Sequence, residues 1–398
     1  MIPLMLKLPI YMDYHATTPV DPRVLEAMLP AFQEHFGNAA SRNHPFGWEA
    51  EKLVEKARAQ IARLIAADPK EIIFTSGATE SNNIALKGVA EVYREKGNHL
   101  ITQATEHKSV LDTAKYLEKQ GLQITFLPVD RYGLIDLDQL RKAISQKTLL
   151  ISLMAANNEI GTLQPIEAVG KIAKERGVLF HVDAAQAVGK IPIDVEKMGI
   201  DLLSFSSHKM YGPKGIGALY VRRKNPRVRL APLIHGGGHE GGLRSGTLNV
   251  PAIVGFGRAS EIAEKEFQEE GRKLLRLRTK LYESITRGLD QVYLNGHPEM
   301  RLPGNLNLSF RSVEGESLLM ALSEEIAVSS GSACSSARVE PSYVLKALGV
   351  EEDLIHTSIR FGLGRFNTEE EVDYAAKRTV ETVNRLREIS PLYTNQPR

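Results

Sequence analysis

Short apolar runs recur along this chain with helical stretches between them, and that alternation restricts its fold more than any other feature. The runs lie at 71–75 (EIIFT), 99–102, 123–129, 149–155, 178–182, 202–205 and 216–221. Continuous apolar strands separated by helices predict a largely parallel sheet buried on both faces, an α/β fold. Helices are expected from Asp21-Pro22 to about Phe36, over 46–67 and over 81–96. A long charged helix over 258–289 is followed by strand-like runs at 305–310 and 325–329, which predict a smaller α+β region. The expected division is a large domain over 20–256, with 1–19 and 257–398 forming the smaller one.

The chain has 398 residues, enough for one large and one small core. Fifty Lys and Arg face 48 Asp and Glu, a net charge of +2, so charge points to neither a nucleic acid nor an anionic membrane as partner. The apolar N-terminal stretch is interrupted by Lys7 and two prolines, and no later stretch has the apolar length of a membrane span. A soluble, cytoplasmic protein is expected. Cys334 is the single cysteine, which rules out an intramolecular disulfide.

Strand exits are where α/β sheets keep their chemistry. Asp183 closes one run (HVDAAQ, 181–186), and Lys209 follows the next through a polar turn (SFSSHK, 204–209). Such a pair suits pyridoxal 5′-phosphate (PLP): a lysine can form a Schiff base with it, and a carboxylate can keep its pyridine nitrogen protonated. A strand-end Asp and a surface Lys are the plain alternative. The turn 75–80 joins a strand to a helix, and there Ala78 beside Gly77 admits a ligand to the backbone while Thr79 adds a hydroxyl, as an anion site requires. Ser206 and His208 can supply further phosphate donors, or simply satisfy their own turn. His107 opens a helix after a strand, a place for stacking on a cofactor ring or for a helix cap. Asn158 and Gln186, at other strand exits, can hydrogen-bond a phenolate oxygen. One shared ligand accounts for these positions together.

Cys334 sits in SSGSACSSA (329–337). Isolated cysteines are commonly inert core residues, yet this one has Ser, Gly and Ala around it and no apolar period, as in an exposed loop where a thiolate can act as nucleophile. Arg360 lies in a strand-like run and needs an anion, either an internal carboxylate or the α-carboxylate of an amino acid. The two histidines of HGGGH (235–239) lack carboxylate or thiolate partners and are a poor metal signal.

The segments YMDYHATTP, FTSGATESNN, TEHKS, NNEIGT, HVDAAQ, SSHKMYGPKG, RSGTLN, SSGSAC and SIRFGLGRF occur in order over nearly the whole chain. In them the chain resembles the cysteine desulfurases of the NifS/IscS type, class V aminotransferases of PLP fold-type I. The resemblance implies a homodimer acting on L-cysteine, with Lys209 carrying the cofactor and Asp183 on its ring nitrogen. His107 is implied as the stacking and catalytic residue and Gln186 as the phenolate partner, with Ala78, Thr79, Ser206 and His208 around the phosphate. Asn158 and Arg360 are implied for a cofactor oxygen and the substrate carboxylate, and Cys334 for the persulfide. Thr247, in RSGTL, is implied to reach the other subunit's PLP. An iron-sulfur scaffold protein or a tRNA-thiolation protein is implied as sulfur acceptor. Two departures stand out. Gly241 replaces an arginine common in relatives, and the short tail ending in SPLYTNQPR weakens the expectation of scaffold docking. An aminotransferase or selenocysteine lyase with the same ring chemistry is the alternative, and a non-catalytic sulfur relay is another.

Overall fold

The computed structural model describes residues 6–330 and 341–390. Its strands in chain order are β1 (Ile10–Tyr11), β2 (Ile72–Thr75), β3 (His99–Gln103), β4 (Gln123–Leu127), β5 (Thr148–Met154) and β6 (Leu179–Asp183). They continue as β7 (Leu202–Ser206), β8 (Gly217–Val221), β9 (Val292–Leu294), β10 (Asn305–Phe310), β11 (Ile326–Ala327) and β12 (Ser358–Gly362).

Among the described residues, the central sheet has seven strands in the order β2-β8-β7-β6-β5-β3-β4. Neighbours from β7 to β4 run parallel, and β8 runs antiparallel to both β7 and β2. β5, β7 and β8 are buried at every position, as expected of strands covered by helices on both faces. The α/β expectation therefore holds, with one reversed strand. A second sheet joins β12-β10-β9, and β1 pairs in parallel with β11.

Local signals place most helices where the sequence puts them. Asp21 caps Pro22–Met28 by accepting from the Arg23 N–H. The expected single helix to Phe36 is broken, however: Pro30 lacks an N–H and starts a separate turn, Pro30–Gln33. The long helix runs over Val250–Gly288, eight residues earlier than expected. Its N-terminal part, from Val250 to Ala263, packs into the core under the central sheet. Its C-terminal part, from Leu274 to Ile285, packs into a second core with Leu308, Phe310 and Phe361. One helix thus joins both cores.

Candidate active site

The exits of five strands, β2, β3, β5, β6 and β7, together with Arg360 inside β12, supply residues to one cavity of about 550 Å³. Its wall contains Ala78, Thr79, His107, Asn158, Asp183, Gln186, Ser206, His208, Lys209 and Arg360. These are the positions singled out in the sequence, apart from Cys334 and Thr247. Cys334 lies outside the described residues. Thr247 is exposed in the stretch before the long helix and is not in this wall. Arg244, three residues earlier, ties that stretch to the wall through a 2.9 Å ion pair with Glu80.

Backbone geometry shapes one end of the cavity as an anion site. Gly77 has φ +155°, a conformation side chains rarely adopt, and it starts the helix Ala78–Val92 without a side-chain cap. The helix therefore turns its first N–H groups toward the cavity that Gly77, Ala78, Thr79 and Glu80 line. Opposite them stand Ser206 and His208, at the end of β7. Burial first, then the charges of Lys209, Lys214 and Lys190, depress the His208 imidazole to about 4. Its Nδ1 lies 3.1 Å from the Thr17 hydroxyl.

Asp183 ends β6, 4% exposed, and its Oδ2 accepts from the Asn82 amide at 2.7 Å. The same Asn82 nitrogen donates to the Ser109 hydroxyl at 2.9 Å, which is 2.8 Å from His107 Nδ1. The Ser109 N–H also donates to that nitrogen, so His107 caps its helix while facing the cavity. Burial depresses the His107 pKa and the Lys209 charge adds to this, against the pull of Asp183. Lys209 Nζ donates to the main-chain oxygens of His15 and Ala16, at 2.6 and 2.7 Å.

Both readings of Arg360 are present together. One Nη pairs with Asp13 at 2.8 Å and the other donates to the Asn158 carbonyl, while the guanidinium borders the cavity and its buried Nε has no partner among the described residues. Asp13 and His15, both in the wall, have no role in the sequence reading. No local pattern announces that their segment crosses to β12, where Asp13 bridges to Gly362.

The chain positions on either side of 331–340 are held at this wall or beside it. Ser329 exchanges backbone hydrogen bonds with Arg360. Ser342 donates to the Glu159 carboxylate at 2.5 Å, and the Tyr343 hydroxyl to the Glu106 carbonyl at 2.6 Å. Burial pushes Glu159 up to about 7, against its bond from Ser342 and the Arg360 charge. The folded chain thus keeps a proton up to about pH 7 that the unfolded chain releases near 4.5, so this group favours folding below 4.5 and loses that contribution as pH rises through 7. Glu159→Gln is expected to reduce the stability difference between about pH 5 and pH 8 by on the order of 2 kcal/mol in denaturant unfolding of the holoenzyme. An unchanged difference would contradict it.

A class-V aminotransferase family model matches residues 10–375. A cysteine desulfurase IscS of Anaeromyxobacter sp. (strain Fw109-5) is 60% identical over 388 residues, covering 98% of this chain and 96% of that protein. Another, of Rickettsia bellii (strain OSU 85-389), is 58% identical over 97% of this chain and 94% of its own. Among solved structures, a NifS-like protein is 43% identical with a TM-score of 0.89, covering 95% of this chain and all of the other. A structure described as SspA in complex with cysteine is 40% identical, with a TM-score of 0.80 over 90% of this chain and 100% of that one. The chain belongs to the class-V aminotransferase family and, within it, to the cysteine desulfurases, which depend on PLP.

The site fits that cofactor. Asn158 Oδ1 is buried without a partner among the described residues on a residue of the cavity wall. Gly77 leaves an open cradle at the helix start, where an added Cβ would meet only the Ser206 hydroxyl, at 3.6 Å. No described helix is long and apolar enough to cross a membrane.

Proposed function

We propose that this chain converts L-cysteine to L-alanine and takes the sulfur onto Cys334 as a persulfide. The observation that carries the reading is the convergence of Lys209, Asp183, His107 and Arg360 on one cavity. It is supported by relatives named cysteine desulfurase and by a similar structure bound to cysteine.

Bound PLP would supply an electron sink for negative charge at the substrate Cα. Asp183 would keep a proton on the ring nitrogen, and His107 would stack on the ring. Ala78, Thr79, Ser206 and His208 would hold the phosphate by hydrogen bonds and the helix dipole. Gln186 and Asn158 would bind the ring oxygen, and Arg360 would take the substrate carboxylate beside Asp13. The Lys209 amine moves the Cα proton. The Cys334 thiolate attacks the substrate sulfur: an S–S bond forms, the C–S bond breaks with its electron pair left on carbon, and that carbon takes a proton as alanine forms.

In the same reading the protein is a cytoplasmic homodimer, with Thr247 of each subunit reaching the other's phosphate. Residues 20–256 form the large domain, and 1–19 with 257–398 the smaller. The persulfide serves iron-sulfur cluster assembly, through a scaffold protein, or another acceptor pathway such as tRNA thiolation. The PLP-loaded protein given L-cysteine and a reductant should release alanine and sulfide in equal amounts. A keto acid without sulfide would instead mark an aminotransferase.

A further inference from the structure

Behind the cavity wall, Gln186 is held by three hydrogen bonds that fix its orientation. Its Nε2 donates to the His15 carbonyl at 2.8 Å, which can only accept. Oε1 therefore points the other way, toward Lys190 Nζ at 2.9 Å and His15 Nδ1 at 3.2 Å. Because an amide oxygen cannot donate, His15 Nδ1 carries the hydrogen, and the neutral ring keeps a bare Nε2. That Nε2 is buried without a partner among the described residues, and burial, then Lys190 and Arg360, holds the His15 pKa well below its usual value.

Lys190 comes one turn after Gln186, and Gly189 between them has φ +77°. A Cβ there would press to 3.1 Å from Met210, next to Lys209, so the glycine lets Lys190 approach the site from behind. On its far side a cavity of about 20 Å³ is bordered by Tyr14, His15, Lys190, Tyr211 and Glu270, large enough for one water. Burial and the Lys209 charge bring Lys190 down to about 7, with Glu270 opposing and Arg360 adding.

We propose that Lys190 is a positioning residue which, with His15, locks the Gln186 amide so that its second N–H faces the cofactor cavity, and whose charge strengthens that donor. The Gln186 hydrogen on Nε2 not taken by His15 belongs to a residue of the cavity wall. A cation on the amide oxygen polarises the amide and makes its N–H a stronger donor, and the same cation favours the deprotonated form of a nearby titrating group. The inference rests on the reading that Gln186 meets a ring oxygen of PLP, and the test separates the two.

The full-length apo protein would be titrated with PLP, and the pH midpoint of the bound cofactor's visible absorbance measured. Lys190→Met should weaken PLP binding roughly tenfold and raise that midpoint, whereas Lys190→Arg should preserve both. Gln186→Leu should give the same changes, and the double variant no more than either alone. If Lys190→Met fails to fold, Lys190→Gln, neutral and polar, is read in its place and should raise the midpoint likewise. Normal binding and midpoint in the Lys190 variant beside shifted values in Gln186→Leu would overturn the role of Lys190 alone, as would Lys190→Arg behaving like Lys190→Met. Unshifted values in Gln186→Leu would overturn the reading of Gln186 as well.

Discussion

Replacing Lys209 by alanine is expected to lower alanine formation from L-cysteine by at least on the order of 10²–10⁴-fold, the range a positioned acid–base group contributes, with loss of the covalent link added to it. The expectation rests on placement. Lys209 ends the turn after β7, in the same wall as Asp183, His107 and Arg360. Among the described wall residues the other side-chain amine is that of Lys214, whose charge acts on His208. The variant should still fold. Lys209 releases two carbonyls, of His15 and Ala16, but Thr18 continues to bind the His208 carbonyl and the Tyr211 N–H, keeping the N-terminal segment on the sheet. After borohydride reduction and denaturation, the unmodified chain should keep a pyridoxyl group on the Lys209 peptide and the variant none. A label retained by the variant would place the link elsewhere.

The fold was legible wherever burial on both faces writes itself as an apolar run. β3, β5, β6 and β7 fall within a residue or so of those runs, because a sheet covered on both faces is mostly apolar, and its polar exceptions are paired, as His181 is with Ser152 and Ser204. Strand direction has no such trace. β8 reads like its neighbours, and only the short turn from Lys209 to Gly217, too short for a crossover, carries the reversal. β1 has two residues, and its partner β11 is near the other end of the chain, so no local pattern shows it. Pro30 is the local sign of the break, since it lacks the N–H that would continue the first helix.

The site was legible at strand exits for the same topological reason: Asp183, Lys209, His107 and Asn158 all follow apolar runs, and the fold brings such ends together. What stayed hidden depends on contacts between distant segments. Asp13 meets Arg360 only because residues 10–16 run beside β12, with Tyr14 donating its N–H to Gly362 and Gly362 donating to Met12. Asn82 joins Asp183 to Ser109 from the interior of a helix, where an asparagine otherwise reads as neutral filler. Lys190 is one lysine among many until its bond to Gln186 is seen. At Gly241 the structure adds a reason for the departure from arginine: φ is +63°, a left-handed position that favours glycine.

Replacing Cys334 by serine is the second large effect expected. A serine hydroxyl stays protonated near neutral pH and is a poor acceptor of sulfur, whereas a thiolate is a strong nucleophile toward it. The wall residues proposed to hold PLP are unchanged, so cofactor binding and its absorbance should stay normal while sulfur transfer falls to background. The chain enters and leaves 331–340 from positions bonded at or next to the wall, Ser329 to Arg360 and Ser342 to Glu159, which adjoins Asn158. Their integrity in the variant can be checked by its unchanged stability.

The most direct measurement is therefore mass analysis of the Cys334 peptide after PLP-loaded protein is mixed with L-cysteine without reductant and the thiols are alkylated. One added sulfur on that peptide, matched by alanine in equal amount and absent with alanine formation in Cys334→Ser, is the result predicted. Alanine and sulfide formed equally well by Cys334→Ser, with no sulfur on the peptide, would contradict the account.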